Sequence, residues 1–184
     1  MTPWMTEQDC AMKDFEYTFQ FQKTEEHFDQ LWQMKSSARE SLKDWLLASS
    51  VTPKIAETCA NACSELIENC IKYAQNYTRA GVLIHVNQPD AAEKADIIIE
   101  TFNRSDPSHH ACLSESIAAI NQTGDLKMLF VQKLLNPSYG QSHLGLVKLM
   151  LETKGRMEFL PAENHIAHVR LRMEANNPAQ EIIS

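Results

Sequence analysis

The chain has 184 residues, a length that suits one domain built on a single substantial core. Hydrophobic content of 43% and charged content of 22% are those of a globular chain, and no apolar run approaches the ~20 residues needed to cross a membrane. A net charge of −7 without a basic cluster excludes a nucleic-acid-binding face, which needs grouped lysines and arginines to neutralise phosphates.

The opening stretch MTPWMTEQDCAMKDF has acidic residues and no basic apolar signal core, so secretion is not expected. The five cysteines are odd in number and include no CxxC pair, which fits a reducing, cytoplasmic setting better than a disulfide framework. Residues 1–14 read as an N-terminal tail. Residues 15–22, FEYTFQFQ, alternate well enough to predict a strand.

Thr24 offers a helix cap, with Glu25 and Glu26 in the first turn. Phe28, Leu31, Trp32, Leu42, Trp45 and Leu46 then keep helical spacing over 25–48. Ser36-Ser37, with Glu40 three residues after Ser37, reads as a capping box that breaks this stretch in two. Trp32 and Trp45 are core residues on this reading. Thr52-Pro53 starts the next helix, which runs to about Asn76.

At ~100° per residue that helix separates into two faces. Ile55, Cys59, Cys63, Leu66 and Cys70 form the core face, with the cysteines acting as small buried apolar groups. Thr58, Ala62, Glu65, Asn69, Lys72 and Asn76 form the other. Glu65 and Asn69, four apart, stack on one side. A carboxylate able to take a proton beside an amide oxygen able to bind a hard cation is a pair suited to phosphoryl transfer. Spacing alone equally allows a solvated face.

Strands Gly81–Val86 and Asp96–Phe102 follow, joined by the hairpin loop NQPDAAEK. Residues 103–141 read as a polar, helical lid with short helices near 111–121 and 125–135, ended by Asn136-Pro137. His109, His110 and Cys112 within it are metal-ligand types, but no second ligand pair follows at zinc spacing. A helix from Ser142 to Thr153, a stop at Gly155, strands near 156–160 and 166–173, and a tail over 174–184 complete the chain. The expected fold is an α/β (α+β) two-layer sandwich, a mostly antiparallel sheet with helices on one face, as one domain over 15–173.

Ser64–Ala74, SELIENCIKYA, resembles the N box of the histidine-kinase-like (GHKL, Bergerat-fold) ATPases, in which Glu precedes Asn by four within an apolar helix. The order of elements resembles the bacterial anti-sigma-factor serine kinases and, more loosely, SiaB-like regulatory kinases. The resemblance implies that ATP and Mg2+ are the cofactors. Glu65 would be the catalytic base or water-orienting acid, Asn69 the Mg2+ ligand and Lys72 a basic residue near the phosphates. Asn103 stands where the family has the acid that receives the adenine amino group, and the glycines after it are missing. Ser142, His143, Leu144 and Gly145 match the family's Gly-rich phosphate turn only in its LGL core, because Gln141 and His143 replace two glycines and Gly140 is displaced by one. Near the last strand the family's Gly-Thr turn is replaced by His165-Ile166-Ala167. The resemblance thus implies a serine/threonine protein kinase that regulates a partner-switching, STAS-type protein, and a homodimer. The eroded glycines leave open a pseudo-ATPase that binds protein without turnover, and more weakly an output domain detached from a larger sensor kinase.

Overall fold

The computed structural model describes residues 12–49, 51–89, 94–135, 144–160, 162 and 165–176. In chain order the elements are β1 (Met12–Gln22), α1 (Phe28–Ala48), α2 (Pro53–Tyr73), β2 (Arg79–Pro89), β3 (Lys94–Arg104), α3 (Pro107–Gln122), α4 (Leu126–Leu135), α5 (Leu144–Thr153), β4 (Arg156–Leu160) and β5 (Ile166–Asn176). This is the expected order. The strands form one five-stranded sheet in the order β1-β2-β3-β5-β4, with every pair antiparallel.

Period-two alternation decides which face of the sheet is buried. Val82, Ile84, Val86, Ile97, Ile99, Leu171 and Met173 all point under the helices and are buried. Between them Glu100, Arg170 and Arg172 point the other way, where Glu100 holds Arg170 at 2.6 Å and Asp96 holds Arg172 at 2.6 Å. The helices therefore pack on one face.

α2 lies across the middle of that face, against β2, β3, α1 and α5. Its predicted core residues Cys59, Cys63, Leu66 and Cys70 are buried, and Ile55 is half-buried. Ala62, expected on the polar face, is buried as well, and so are Ala56, Ala60, Ile67 and Ile71. Small residues along the helix let its neighbours approach closely. Burial pushes the thiols of Cys59 and Cys70 up to about 12, and that of Cys63 higher still, so none of the three is a nucleophile.

Several local expectations are corrected. The predicted break at Ser36-Ser37 is absent and α1 runs unbroken, because Ala38 and Leu42 are buried on its inner side. The Ser37 hydroxyl donates back to the Gln33 carbonyl at 3.3 Å instead of capping. Lys35 to Glu68 at 2.5 Å and Lys43 to Glu57 at 2.6 Å tie α1 to α2 on both sides of the expected break. Thr24 does not cap: His27 stands at the N-cap, and the Thr24 hydroxyl is buried without a partner. α2 ends at Tyr73 rather than Asn76, and the Asn76 amide donates to Glu25 at 2.6 Å.

α3 starts four residues before the expected 111, since Asp106 caps it and Pro107 supplies a fixed φ at its first position. After α5 the left-handed residue is Lys154, at φ 51°, and not Gly155. Gly155 is needed for contact with β5: a Cβ there would lie 2.5 Å from the Arg172 carbonyl oxygen. The first and last strands of the chain also run past the expected boundaries, to Met12 in β1 and Asn176 in β5. The loop over 90–93, the predicted stop at Asn136-Pro137, and Gly140, Gln141, Ser142 and His143 lie outside the described residues. Among the described residues no helix is long and apolar enough to cross a membrane.

Cys63 is fully enclosed, so Cys63→Ser puts a hydroxyl where no partner is arranged. The expected loss is roughly 1–3 kcal/mol in urea unfolding, with the native fold retained.

Candidate functional site

Three sequence-distant segments meet beside α2. Glu65 is half-buried and lies against the first turn of α5: its Oε2 is 3.2 Å from where a Cβ on Gly145 would stand. A larger residue than glycine at 145 would press on this carboxylate. The amino end of α5 is also a favourable place for negative charge. Gly145 thus stands beside Glu65.

One turn further along α2, the half-buried Asn69 lines a small cavity with Thr101 and Asn103 of β3. Alternation places Thr101 and Asn103 on the same inward face, and both are buried. The Asn103 amide nitrogen has no hydrogen-bond partner among the described residues. A buried amide donor costs free energy, about 1–3 kcal/mol, unless a water or a ligand accepts from it. A carboxamide offers one donor and one acceptor, the complement of a purine ring edge. The donor set therefore suits a nucleotide.

The space does not, in this conformation. The cavity has a volume of about 20 Å³, room for a single water. The first turn of α3 closes it. Asp106 accepts from the His109 backbone N–H at 2.9 Å, which fixes that turn and sets the His109 ring over Tyr73, 3.8 Å between centroids and 17° between planes. Leu113, one turn on, fills the remainder. Burial lowers the His109 pKa, with the nearby Asp106 opposing that shift, so the stacked ring is neutral.

Lys72 stands elsewhere. Its amine pairs with Glu68 at 2.5 Å and lies 6.0 Å over the Trp32 ring, towards α1. It borders an open recess of about 430 Å³, shared with Lys23, on the far side of the Tyr73–His109 stack. His110 turns away from His109 and meets Phe159 edge-on at 4.8 Å. Among the described residues no three His, Cys, Asp or Glu side chains come together as a metal site. Ser142 and His143 lie outside the described residues.

Sequence reasoning did not single out Tyr73, and weighed His109 only as a metal-ligand type within the lid. The signal was present: Asp106-Pro107 is a helix start, and from it His109, Leu113, Ile117 and Ile120 fall on one buried stripe.

No protein-family model matches the sequence, and no curated protein matches it. Among solved structures, the chain is similar to one in the crystal structure of the SiaB-SiaC complex from Pseudomonas aeruginosa. The fold is shared. The match has a TM-score of 0.57 and covers 91% of this chain and 93% of that one, at 16% sequence identity. Such a likeness carries the α+β architecture and not the chemistry.

Closure by a neutral imidazole gives a pH dependence of definite sign. The buried His109 has a folded-state pKa below the usual ~6.5, so the unfolded chain binds the extra proton first. Stability is full above about pH 6.5 and falls as pH drops through the lowered value. His109→Phe keeps an aromatic ring on Tyr73 and removes the proton. Its urea midpoint is expected to change less than wild type between pH 7.5 and 5.5, roughly the window set by the free histidine. Equal pH sensitivity would assign the effect to other groups.

Proposed function

We propose that the chain is a regulator in a partner-switching system, acting as an ATP- and Mg2+-dependent serine/threonine kinase on a small, STAS-type partner protein. The observation that carries this reading is that α2 sets Glu65 against Gly145 of α5 and, one turn on, Asn69 into a small cavity with Asn103 of β3. A fold shared with a chain of the SiaB-SiaC complex, itself a protein–protein assembly, adds support.

On this reading the fold is a Bergerat-type ATPase domain. Bound ATP would supply the transferable phosphoryl group. The Asn69 amide oxygen would hold Mg2+, and the Asn103 carboxamide would meet the base edge. Glu65 would accept the proton of the attacking hydroxyl, its carboxylate kept in place by the backbone of Gly145. Access requires α3 to swing its first turn off Tyr73. Lys72 would reach phosphate only by leaving Glu68.

A second reading rests on that same closure. If the Tyr73–His109 stack is the working state, the chain is a pseudo-ATPase that binds its partner without turnover. Millimolar ATP with Mg2+ decides between them. A native-state ligand at a hundred times its Kd raises stability by about 2.7 kcal/mol, so the kinase reading expects a clear rise in thermal midpoint. Asn69→Ala should remove the Mg2+ dependence of that rise. Glu65→Gln should keep it but lower phosphoryl transfer by roughly 10²–10⁴-fold. No response to ATP or ADP would discard the kinase and leave the binding module.

The reading includes a homodimer. β1 is an edge strand with one unpaired side among the described residues, next to the half-buried Trp45. Sedimentation at tens of micromolar, roughly the range in which weak dimers form, is expected to give twice the chain mass; a strict monomer would remove this element.

A further inference from the structure

The outer face of the sheet carries its charges in matched pairs. Asp96 takes Arg172, Glu100 takes Arg170 and His168, and Glu158 lies 3.5 Å from Arg156. Opposite charges on facing strands stabilise a sheet, and like charges there destabilise it. Like charges also stand opposite at Asp96–Glu174 and Arg156–Arg172, but Arg156 and Arg172 each have a carboxylate partner there, and at one corner the arginines have none among the described residues. The β2–β3 ladder includes Ala80 opposite Asn103, and one step beyond it Arg79 and Arg104 follow on the two strands. Both are exposed, and both border the same recess of about 480 Å³.

Neither guanidinium has an ion pair or side-chain hydrogen bond among the described residues, whereas Arg39, Arg156, Arg170 and Arg172 are each ion-paired. Their neighbours across the sheet are uncharged: Gln22 faces Arg79 and Ile166 faces Arg104. In a chain of net charge −7 with carboxylates to spare, two arginines without one at the same recess leave positive charge there unmatched. An anion between them matches it.

The geometry points to a binding site for a phosphate monoester dianion, of the kind borne by a phosphorylated serine or threonine of a protein partner, held between Arg79 and Arg104. Two guanidiniums match the −1.5 to −2 charge of such a group, approximately, and their planar forks suit its oxygens bidentately. Phe102 and Ile166, the apolar part of the recess, would take the carbon chain that carries the phosphate. The recess faces away from α2, so the site works whether or not the Asn69 cavity opens. Its occupancy does not depend on the kinase reading.

Thermal unfolding without Mg2+ tests this, with millimolar O-phosphoserine, serine, glutamate and inorganic phosphate as probes. O-phosphoserine is expected to raise the midpoint; serine and glutamate are not. The rise should vanish in Arg79→Gln and in Arg104→Gln and persist in Asn69→Ala, which separates this site from the nucleotide cleft. A response to inorganic phosphate equal to that of O-phosphoserine keeps the site and makes the free ion its ligand. Without any ligand, Arg104→Gln should itself raise the midpoint by about 1–3 °C, because unmatched positive charge is removed from the recess. A lower ligand-free midpoint, no response to O-phosphoserine, an equal response to glutamate, or a response that survives both arginine substitutions overturns the assignment.

Discussion

The structure depends on how α2 is enclosed. A helix that touches β2, β3, α1 and α5 has little surface left for polar groups, and its small residues, from Ala56 through Cys63, fit that crowding. A single narrow strip escapes. Glu65, Glu68 and Asn69 lie along it half-buried, and Lys72 is exposed at its end. Where burial is so complete, a carboxylate and an amide must each be given a neighbour, and the rest of the fold can be seen as supplying them. α1 provides Lys35 for Glu68, α5 provides its amino-terminal turn for Glu65, and β3 provides the polar floor opposite Asn69. Apolar burial sets the frame, and the placement of the polar residues follows from it.

This frame was readable in the sequence because its signals are periodic. The apolar runs GVLIHV and DIIIETF marked the two strands, and their buried face emerged only with the fold. The spacing of Cys59, Cys63, Leu66 and Cys70 fixed how α2 sits on them. Errors gathered where a local signal competed with packing. Ser36-Ser37 has the residues of a helix start, but the inner side of α1 is continuous there, and burial of Ala38 and Leu42 outweighs a cap worth about 1 kcal/mol. Gly155 was read as a stop on composition, whereas its missing side chain answers to Arg172, seventeen residues away and unknowable from local pattern.

The candidate site was legible in its donors and not in its space. Glu65, Asn69 and Asn103 could be named from the order of residues along the chain; Asn69 and Asn103 line one cavity, while Glu65 lies one turn back on α2 against Gly145. That a histidine ring would cover the cavity depends on α3 starting at Pro107 rather than four residues later, a shift that rotates His109 from an exposed lid onto Tyr73. The Asn103 donor stands beside a cavity the size of one water, which is room enough for an acceptor no larger than that. The first turn of α3 covers this cavity and leaves no larger space beside the amide.

The sealed thiols have a practical side. Cys59, Cys63 and Cys70 stay protonated and shielded at any pH the chain tolerates, while Cys112, on α3, is half-buried and beside an open groove between α3 and α4. Among the described cysteines an electrophilic dye therefore has one place to go. A fluorophore or spin label attached there, with Cys10 outside the described residues replaced, would ride on the very helix that covers Asn69 and would report its displacement.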